Sequence, residues 1–144
     1  MPTAVEVRYT PEQYLALERK AEFKSEYVDR EIHPMPGVSR WHSLIVGNLL
    51  RILGTLLLDR RGEAHSSDMR VRVGPSDLYN YPDIAVVAEE GRFEDAETDT
   101  LLNPAVVVEV LSPPTEAYDR GDKFARYRRL KTLQEYVLVS QKRV

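Results

Sequence analysis

The sequence contains no cysteine among its 144 residues. This absence excludes disulfide bonds, thiolate catalysis and cysteine-rich zinc sites, and it is typical of a reducing cytosol. Long apolar runs are also lacking, because the longest apolar region, Leu44 to Leu58, is interrupted by Asn48 and Arg51 and falls short of the roughly 20 residues that a membrane span needs. The N-terminal residues contain no apolar core of signal-peptide length. We therefore expect a soluble, cytoplasmic protein.

No single sign of charge dominates the chain, since the net charge is −3. Any nucleic-acid surface would therefore be a local patch. Residues 89–99 are mostly acidic, whereas residues 120–131 are mostly basic. The acidic segment 91–100 is predicted to form a solvated loop or short helix. Within residues 120–131, the basic run of Arg126, Arg128, Arg129 and Lys131 is predicted to be a solvated helix face, or a phosphate-binding surface if it lies beside a metal site. With 42% hydrophobic residues, residues 1–144 are predicted to form a single domain.

The most informative stretch is a run of valines that ends in a carboxylate. Val106, Val107 and Val108 predict a strand buried on both faces, and Glu109 follows inside the same apolar pattern. A carboxylate at the end of a buried strand loses hydration unless a cation or hydrogen-bond donors replace the water. Glu109 therefore requires a partner, for which Lys123, Asp83 and a divalent metal are the candidates.

Capping signals and apolar periodicity predict the other elements. Thr10, Pro11 and Gln13 predict a capped helix that ends near Lys20. A hairpin is predicted to turn at residues 29–30, where Arg30 occupies a position that favours glycine. The remaining predicted elements are strands over 69–73, 84–88 and 135–139 and a helix over 118–131.

Ser39 predicts the start of a long helix that ends near Arg61. Its apolar residues recur at helical spacing and form a wide stripe: Trp41, Leu44, Ile45, Leu49, Ile52, Leu53, Leu56 and Leu57. The stripe predicts the main core helix, and a contact with a second subunit is a further interpretation of its width. His42, in the first turn, either faces a neighbouring site or caps the helix. His33 and His65 lack zinc-ligand spacing and are predicted to be surface or structural residues.

Four residues on different elements could form one site. Asp83 follows a proline at the mouth of a strand, Glu109 lies on the next strand, Lys123 on the following helix and Glu26 on an early element. Hard oxygen ligands beside a lysine are typical of a Mg²⁺ or Mn²⁺ site that hydrolyses phosphodiesters. The residues alone leave a structural alternative open, in which Glu109 only forms a buried ion pair with Lys123 or an arginine. That alternative does not explain why Asp83 occupies the matching place on a neighbouring strand.

The motifs also follow one another in a characteristic order. They are SEYVDREI, WHSLIVGNLL, YPDIAVV, PAVVVEVLSPPT, a D-x-x-x-K-x-x-x-Y pattern and EYVLV. Together they cover nearly the whole chain, from Thr10 to Ser140. This succession resembles the Uma two (Uma2) family of predicted endonucleases, which belongs to the restriction-endonuclease-like superfamily with the site pattern PD-(D/E)XK.

The resemblance implies an α/β, restriction-endonuclease-like fold in which a mixed central β-sheet is flanked by α-helices. It implies that Asp83 and Glu109 are metal ligands and that the backbone carbonyl of Val110 is a third. It also implies that Glu26 holds a metal or its water.

The superfamily pattern places the catalytic lysine two residues after the glutamate, where this chain has Leu111. The resemblance implies that Lys123, on the next helix, replaces it. Two further departures are Arg30, where the family pattern has glycine, and Pro114, where serine is usual. Family members continue for several dozen residues past EYVLV, so a domain shortened at its C-terminus, near Val144, is one interpretation.

The leading hypothesis is a Mg²⁺-dependent endonuclease that hydrolyses DNA phosphodiester bonds. A homodimer is expected, because two copies bring two sites to the two strands and the long apolar helix offers a surface. Two alternatives remain open. One is a catalytically inactive nuclease-fold protein that binds nucleic acid or a protein partner, and the other is a structural module in which the carboxylates only pair with Lys123 and nearby arginines.

Overall fold

A computed structural model of the protein describes residues 7–74, 78–113 and 115–142. The helices are α1 (Pro11–Glu18), α2 (Arg40–Leu56), α3 (Glu116–Arg120) and α4 (Asp122–Tyr127). The strands are β1 (Ser25–Val28), β2 (Glu31–Pro34), β3 (Glu63–His65), β4 (Arg70–Val73), β5 (Leu78–Asn80), β6 (Ile84–Val87), β7 (Thr100–Leu101), β8 (Val106–Val110) and β9 (Glu135–Val139). None of these helices is long and apolar enough to cross a membrane.

The strands are divided between two mixed sheets. The first has the order β2-β1-β5-β4-β7 and is antiparallel except for the β4–β7 pair. The second has the order β3-β6-β8-β9, with β8 and β9 parallel. The predicted mixed α/β architecture is confirmed, with two sheets where the sequence predicted one central sheet.

Both sheets contribute to one buried apolar cluster. Its members are Val71, Val73, Leu78, Ala85, Val87, Leu101, Val107 and, from α4, Tyr127. A second cluster joins α1 to the first sheet through the rings of Tyr14, Tyr27 and Tyr79, whose centroids lie 5.2–5.8 Å apart. The Tyr14 ring anchors α1, whose predicted capping box between Thr10 and Gln13 is present. These contacts fix the sheets and helices around β8.

The valine strand is buried as predicted. Val107, Val108, Glu109 and Val110 are all buried, because β8 lies between β6 and β9 in the second sheet. Its parallel partner β9 matches the predicted strand at 135–139. The central position of β8 makes Glu109 a carboxylate inside a sheet.

Only one side of α2 packs into the core. Val46, Leu49, Leu50 and Leu53 contact the β6 and β8 side chains, whereas the opposite side is exposed and includes Trp41, Leu44, Ile52 and Leu56. The prediction that the whole stripe packs in the core is therefore wrong for its outer half. The apolar arc is wider than the face that one sheet can cover. The helix also ends at Leu56, short of the predicted Arg61.

Two local features differ from regular geometry. Asp29 and Arg30 both have positive φ angles, of 50° and 70°, so the hairpin turn is left-handed although neither residue is glycine. The predicted helix over 118–131 is interrupted at Gly121, which separates α3 from α4. Glycine has a low helix propensity, which explains a break at that position. Pro114 lies outside the described residues.

Candidate active site

The paired strands β6 and β8 bring two predicted site residues together. The antiparallel register pairs Ile84 with Val108, so Asp83 lies opposite Glu109. Asp83 Oδ2 accepts a hydrogen bond from the Val110 N–H at 2.7 Å. The carboxylate of Asp83 is thereby fixed against β8, next to Glu109.

The predicted lysine reaches Glu109 from the helical segment. Lys123 Nζ lies 2.9 Å from Glu109 Oε1 and 3.4 Å from Asp119 Oδ1. All three residues are buried. Asp119 and Lys123 lie on either side of the break at Gly121, and their contact shows that both side chains face Glu109. The structure therefore contains a buried cluster of two acids and one base.

Glu26 approaches from the other sheet. It lies on β1 and lines the same cavity as Asp83, Glu109 and Lys123. The cavity has a volume of about 400 Å³. These residues supply most of its charged lining, and Met35, Pro36, Val38, Trp41 and Pro113 supply apolar walls. The four residues proposed from sequence thus meet in one cavity.

Acidic groups outnumber basic ones in this cavity, and several of the acids have raised pKa values. Burial raises the pKa of Glu109 to about 8, and the charges of Asp83 and Asp119 add to this effect while Lys123 opposes it. Burial also raises the pKa values of Glu26 and Asp119. Burial disfavours the charged form of Lys123, but the surrounding acids outweigh it and raise the pKa of its ammonium. Lys123 is therefore a cation held by an excess of acid.

His42 belongs to the site, although the sequence left its role open. Its Nε2 lies 3.0 Å from Asp83 Oδ2, and its side chain is nearly buried. A carboxylate oxygen only accepts hydrogen bonds, so Nε2 carries the donated proton. Ser39 caps α2 through the His42 N–H, which places the imidazole in the first turn, over the strand ends. His33 and His65 instead pair with Glu31 and Glu63, outside the cavity.

Asp119 was not assigned to the site from sequence. It lines the cavity, and its Oδ1 contacts Lys123. The D-x-x-x-K spacing was the available signal, because it places an acid and a lysine on one helical face. What the spacing could not reveal is that this face is turned towards Glu109.

The residues present are chemically suited to Mg²⁺ or Mn²⁺. Hard cations prefer carboxylate and carbonyl oxygens, and the cavity gathers four carboxylates whose mutual repulsion a cation would relieve. As the described residues stand, no three His, Asp or Glu side chains are arranged closely enough to enclose an ion. Glu109 faces Lys123 instead. Val110 is connected to the site through its N–H, and its carbonyl as a metal ligand stays a prediction.

The protein has a mixed α/β fold with an acid-lined cavity. The chain belongs to the Uma2 family, described as "Putative restriction endonuclease", whose family model matches residues 11–144. The family resemblance expected from the motifs is therefore confirmed.

Two relatives from Synechocystis sp. are similar over most of the chain. "Uncharacterized protein sll1609" is 40% identical over 132 residues, which cover 92% of this chain and 75% of the relative. "Uncharacterized protein slr1290" is 37% identical over 139 residues, which cover 96% and 72%. A solved structure from Anabaena variabilis, described as "a putative nuclease belonging to DUF820", is similar with a TM-score of 0.73. It is 22% identical and covers 91% of this chain and 73% of its own, so it supports the fold.

Proposed function

We propose that the protein is a Mg²⁺- or Mn²⁺-dependent endonuclease that hydrolyses DNA phosphodiester bonds. The observation that carries the proposal is the convergence of Asp83, Glu109 and Lys123 on one cavity, with Nζ 2.9 Å from Glu109 Oε1. The description of the family as restriction endonucleases supports the same reaction class.

Asp83 and Glu109 would hold the metal, and Glu26 and the carbonyl of Val110 would complete its protein ligands. A bound Mg²⁺ or Mn²⁺ supplies Lewis-acid polarisation of a phosphoryl oxygen and lowers the pKa of a coordinated water. The protein contributes by fixing the carboxylates that hold the ion and by excluding bulk water from the floor of the cavity.

Two hydrogen bonds orient Asp83 for this role. The donors are the Val110 N–H and His42 Nε2, and both act on Oδ2. Because the two donors restrain the same oxygen, the carboxylate cannot rotate freely, and its other oxygen is the one available to a metal. Groups that orient a metal ligand commonly change metal affinity when they are removed. His42 is therefore a positioning residue.

Lys123 would act on the phosphate. Its ammonium is fixed by Glu109 and Asp119 at the floor of the cavity, where negative charge on a pentavalent phosphorane would develop. A preorganised cation at this position stabilises that charge without reorganisation during the reaction. Asp119 keeps the lysine directed at the site.

Two cations lie beside the cavity and suit a nucleic-acid backbone. Lys24 lines an adjoining depression that includes Asp83, and Lys142 lines another that includes Trp41. Phosphate contacts of this kind make binding sensitive to salt. We therefore expect DNA affinity to fall steeply as salt concentration rises.

Calorimetric titration with Mn²⁺ tests the metal site directly. The wild-type protein is expected to bind Mn²⁺, and Glu109→Gln and Asp83→Asn are expected to abolish binding, because each removes an anionic ligand. Glu63→Gln is a matched control, since Glu63 pairs with His65 outside the cavity. A folded wild-type protein that binds no Mn²⁺ would contradict the proposal.

Nicking of supercoiled plasmid in the presence of Mg²⁺ or Mn²⁺ tests the reaction. Cleavage that is lost in Glu109→Gln and retained in Glu63→Gln is the expected result. Salt-sensitive DNA binding without cleavage, unaffected by Glu109→Gln, would instead support the binding-module alternative. A parallel assay on RNA of the same length distinguishes the two nucleic acids.

A further inference from the structure

The outer face of α2 carries several apolar side chains that no described element covers. Trp41 is 59% exposed, Ile52 is 50% exposed and Leu56 is 64% exposed, and Leu44 is also exposed. With about 200 Å² for a large apolar side chain, these residues leave on the order of 400 Å² of apolar surface uncovered. This amount of exposed apolar surface along one helix is enough for the core of an interaction site.

Three exposed residues, Trp41, Ile52 and Leu56, and the half-buried Ile45 form a narrow stripe along the helix. At about 100° per residue, Trp41, Ile45, Ile52 and Leu56 fall within an arc of roughly 60° on the helix. Asn48, also exposed, lies about 20° outside this arc, near the middle of the stripe along the helix. The stripe therefore presents two apolar ends on either side of one polar residue.

This stripe is complementary to itself. Positions 41 and 56 are equally far from a point between residues 48 and 49, and so are positions 45 and 52. A twofold axis through that point would place Trp41 opposite the partner's Leu56 and Ile45 opposite the partner's Ile52. We propose that α2 pairs antiparallel with α2 of a second copy and that this contact forms the centre of a homodimer interface.

Charge and area agree with a second copy as the occupant. The same register brings Arg40, at the start of the helix, towards the partner's Asp59, just beyond the helix end. A stable interface buries roughly 800 Å² on each partner, so the apolar stripe supplies its core and the polar residues beside it supply the rim. A nucleic-acid strand would gain neither charge nor hydrogen bonds from Leu44, Ile52 and Leu56.

The proposed contact also touches the site cavity. Trp41 belongs to the stripe and lines the cavity that contains Asp83 and Glu109. In the dimer, the partner's Leu56 packs on the outer side of this ring and fixes one wall of the cavity. Dimerisation itself requires neither metal nor substrate, so it can be tested independently of nuclease activity.

Sedimentation velocity over a wide range of protein concentration tests the dimer. Ile52→Glu introduces a charge near the twofold axis and is expected to raise the dissociation constant at least about 100-fold. Leu17→Glu is the matched control, because Leu17 is 51% exposed on α1 and the charge change is the same. Since both sites are exposed, both variants are expected to fold.

Cysteine crosslinking tests the register. The chain has no native cysteine, so each variant contains a single thiol. In the proposed dimer, two copies of Asn48→Cys lie next to the twofold axis and are expected to form a disulfide on mild oxidation. Thr55 lies two turns further along the helix, so two copies of Thr55→Cys would be separated by roughly 20 Å along the helix axis. A disulfide needs Cα atoms within about 7 Å, so Thr55→Cys is expected not to crosslink.

Three outcomes would overturn the proposal. One is a monomer at every concentration, and a second is a dimer that Ile52→Glu and Leu17→Glu affect equally. The third is equal crosslinking of Asn48→Cys and Thr55→Cys, which would indicate parallel helices. The only tryptophan of the chain, Trp41, provides a further measurement, because its emission is expected to shift to shorter wavelength as the dimer forms. A shift that instead requires DNA, in a monomeric protein, would assign the stripe to nucleic acid.

Discussion

The buried pair of Lys123 and Glu109 makes a quantitative prediction about stability. Lys123→Met preserves the length of the side chain and removes the ammonium that lies 2.9 Å from Glu109 Oε1. Glu109 is then left among Asp83 and Asp119 without its cation, so the folded state retains it only as the neutral acid. Comparison of Lys123→Met with the double variant Lys123→Met/Glu109→Gln isolates this effect, because glutamine is neutral at every pH.

The magnitude follows from the proton that Glu109 must take up. The carboxyl of an unfolded glutamate has a pKa of about 4.3, and burial already raises the pKa of Glu109 to about 8 in the presence of Lys123. Without Lys123, which lowers it, the folded pKa is higher still. An acid whose pKa is higher in the folded state than in the unfolded state makes the protein less stable as pH rises above the unfolded-state pKa. The single variant should therefore be less stable than the double variant by about 1 kcal/mol at pH 5 and about 4 kcal/mol at pH 7.

Urea denaturation followed by far-ultraviolet circular dichroism measures both variants at each pH. If the single variant is unfolded at pH 7, the prediction requires that it recover structure at pH 5 while the double variant is folded at both. A difference between the two variants that does not change between pH 5 and pH 7 would refute the reasoning, since Glu109 would then be able to remain charged without Lys123.

Three further predictions concern other residues. His42→Phe removes a hydrogen bond to Asp83 and should weaken Mn²⁺ binding about 10- to 100-fold in calorimetry, whereas His65→Phe should not. Asp99→Asn should lower the unfolding free energy by about 1 kcal/mol at pH 7 in urea denaturation. Because its arginine partners lower the pKa of Asp99, the difference between the variant and the wild type should shrink as pH falls below about 4. Arg30→Gly should raise the unfolding free energy by about 0.5 kcal/mol by relieving the left-handed φ of 70°, and a loss of stability would contradict this interpretation.

Features set by neighbouring residues could be predicted from the sequence. The capping box at Thr10, the buried valine strand and the final strand at Glu135–Val139 depend on short-range patterns, and the structure contains all three. The motif order predicted the family and the fold class. The residues chosen for the site also converge on one cavity, because strand mouths and helical spacing limit where they can lie.

Features that depend on distant pairs could not be predicted in this way. The acidic segment after Gly91 is a largely exposed loop, as expected, but its contacts with Arg19 could not be predicted: Asp95 and Asp99 both bind this residue, which precedes them by more than seventy residues. The contact of His42 with Asp83 spans 41 positions in the same manner. The outer half of α2 was misassigned for a related reason, since apolar periodicity indicates which residues avoid water and not what covers them.

The composition of the cavity argues that it serves more than stability. A buried ion pair needs one acid and one base, and replacing such a pair by apolar residues is often neutral or stabilising. Here Glu26, Asp83, Glu109 and Asp119 line a single cavity with Lys123, and burial raises the pKa of three of these acids. An arrangement that stabilises the fold would not gather so much uncompensated acid in one place. A cation in the cavity would relieve this repulsion, so the excess of acid that weakens the fold is the feature that best supports a metal-dependent reaction.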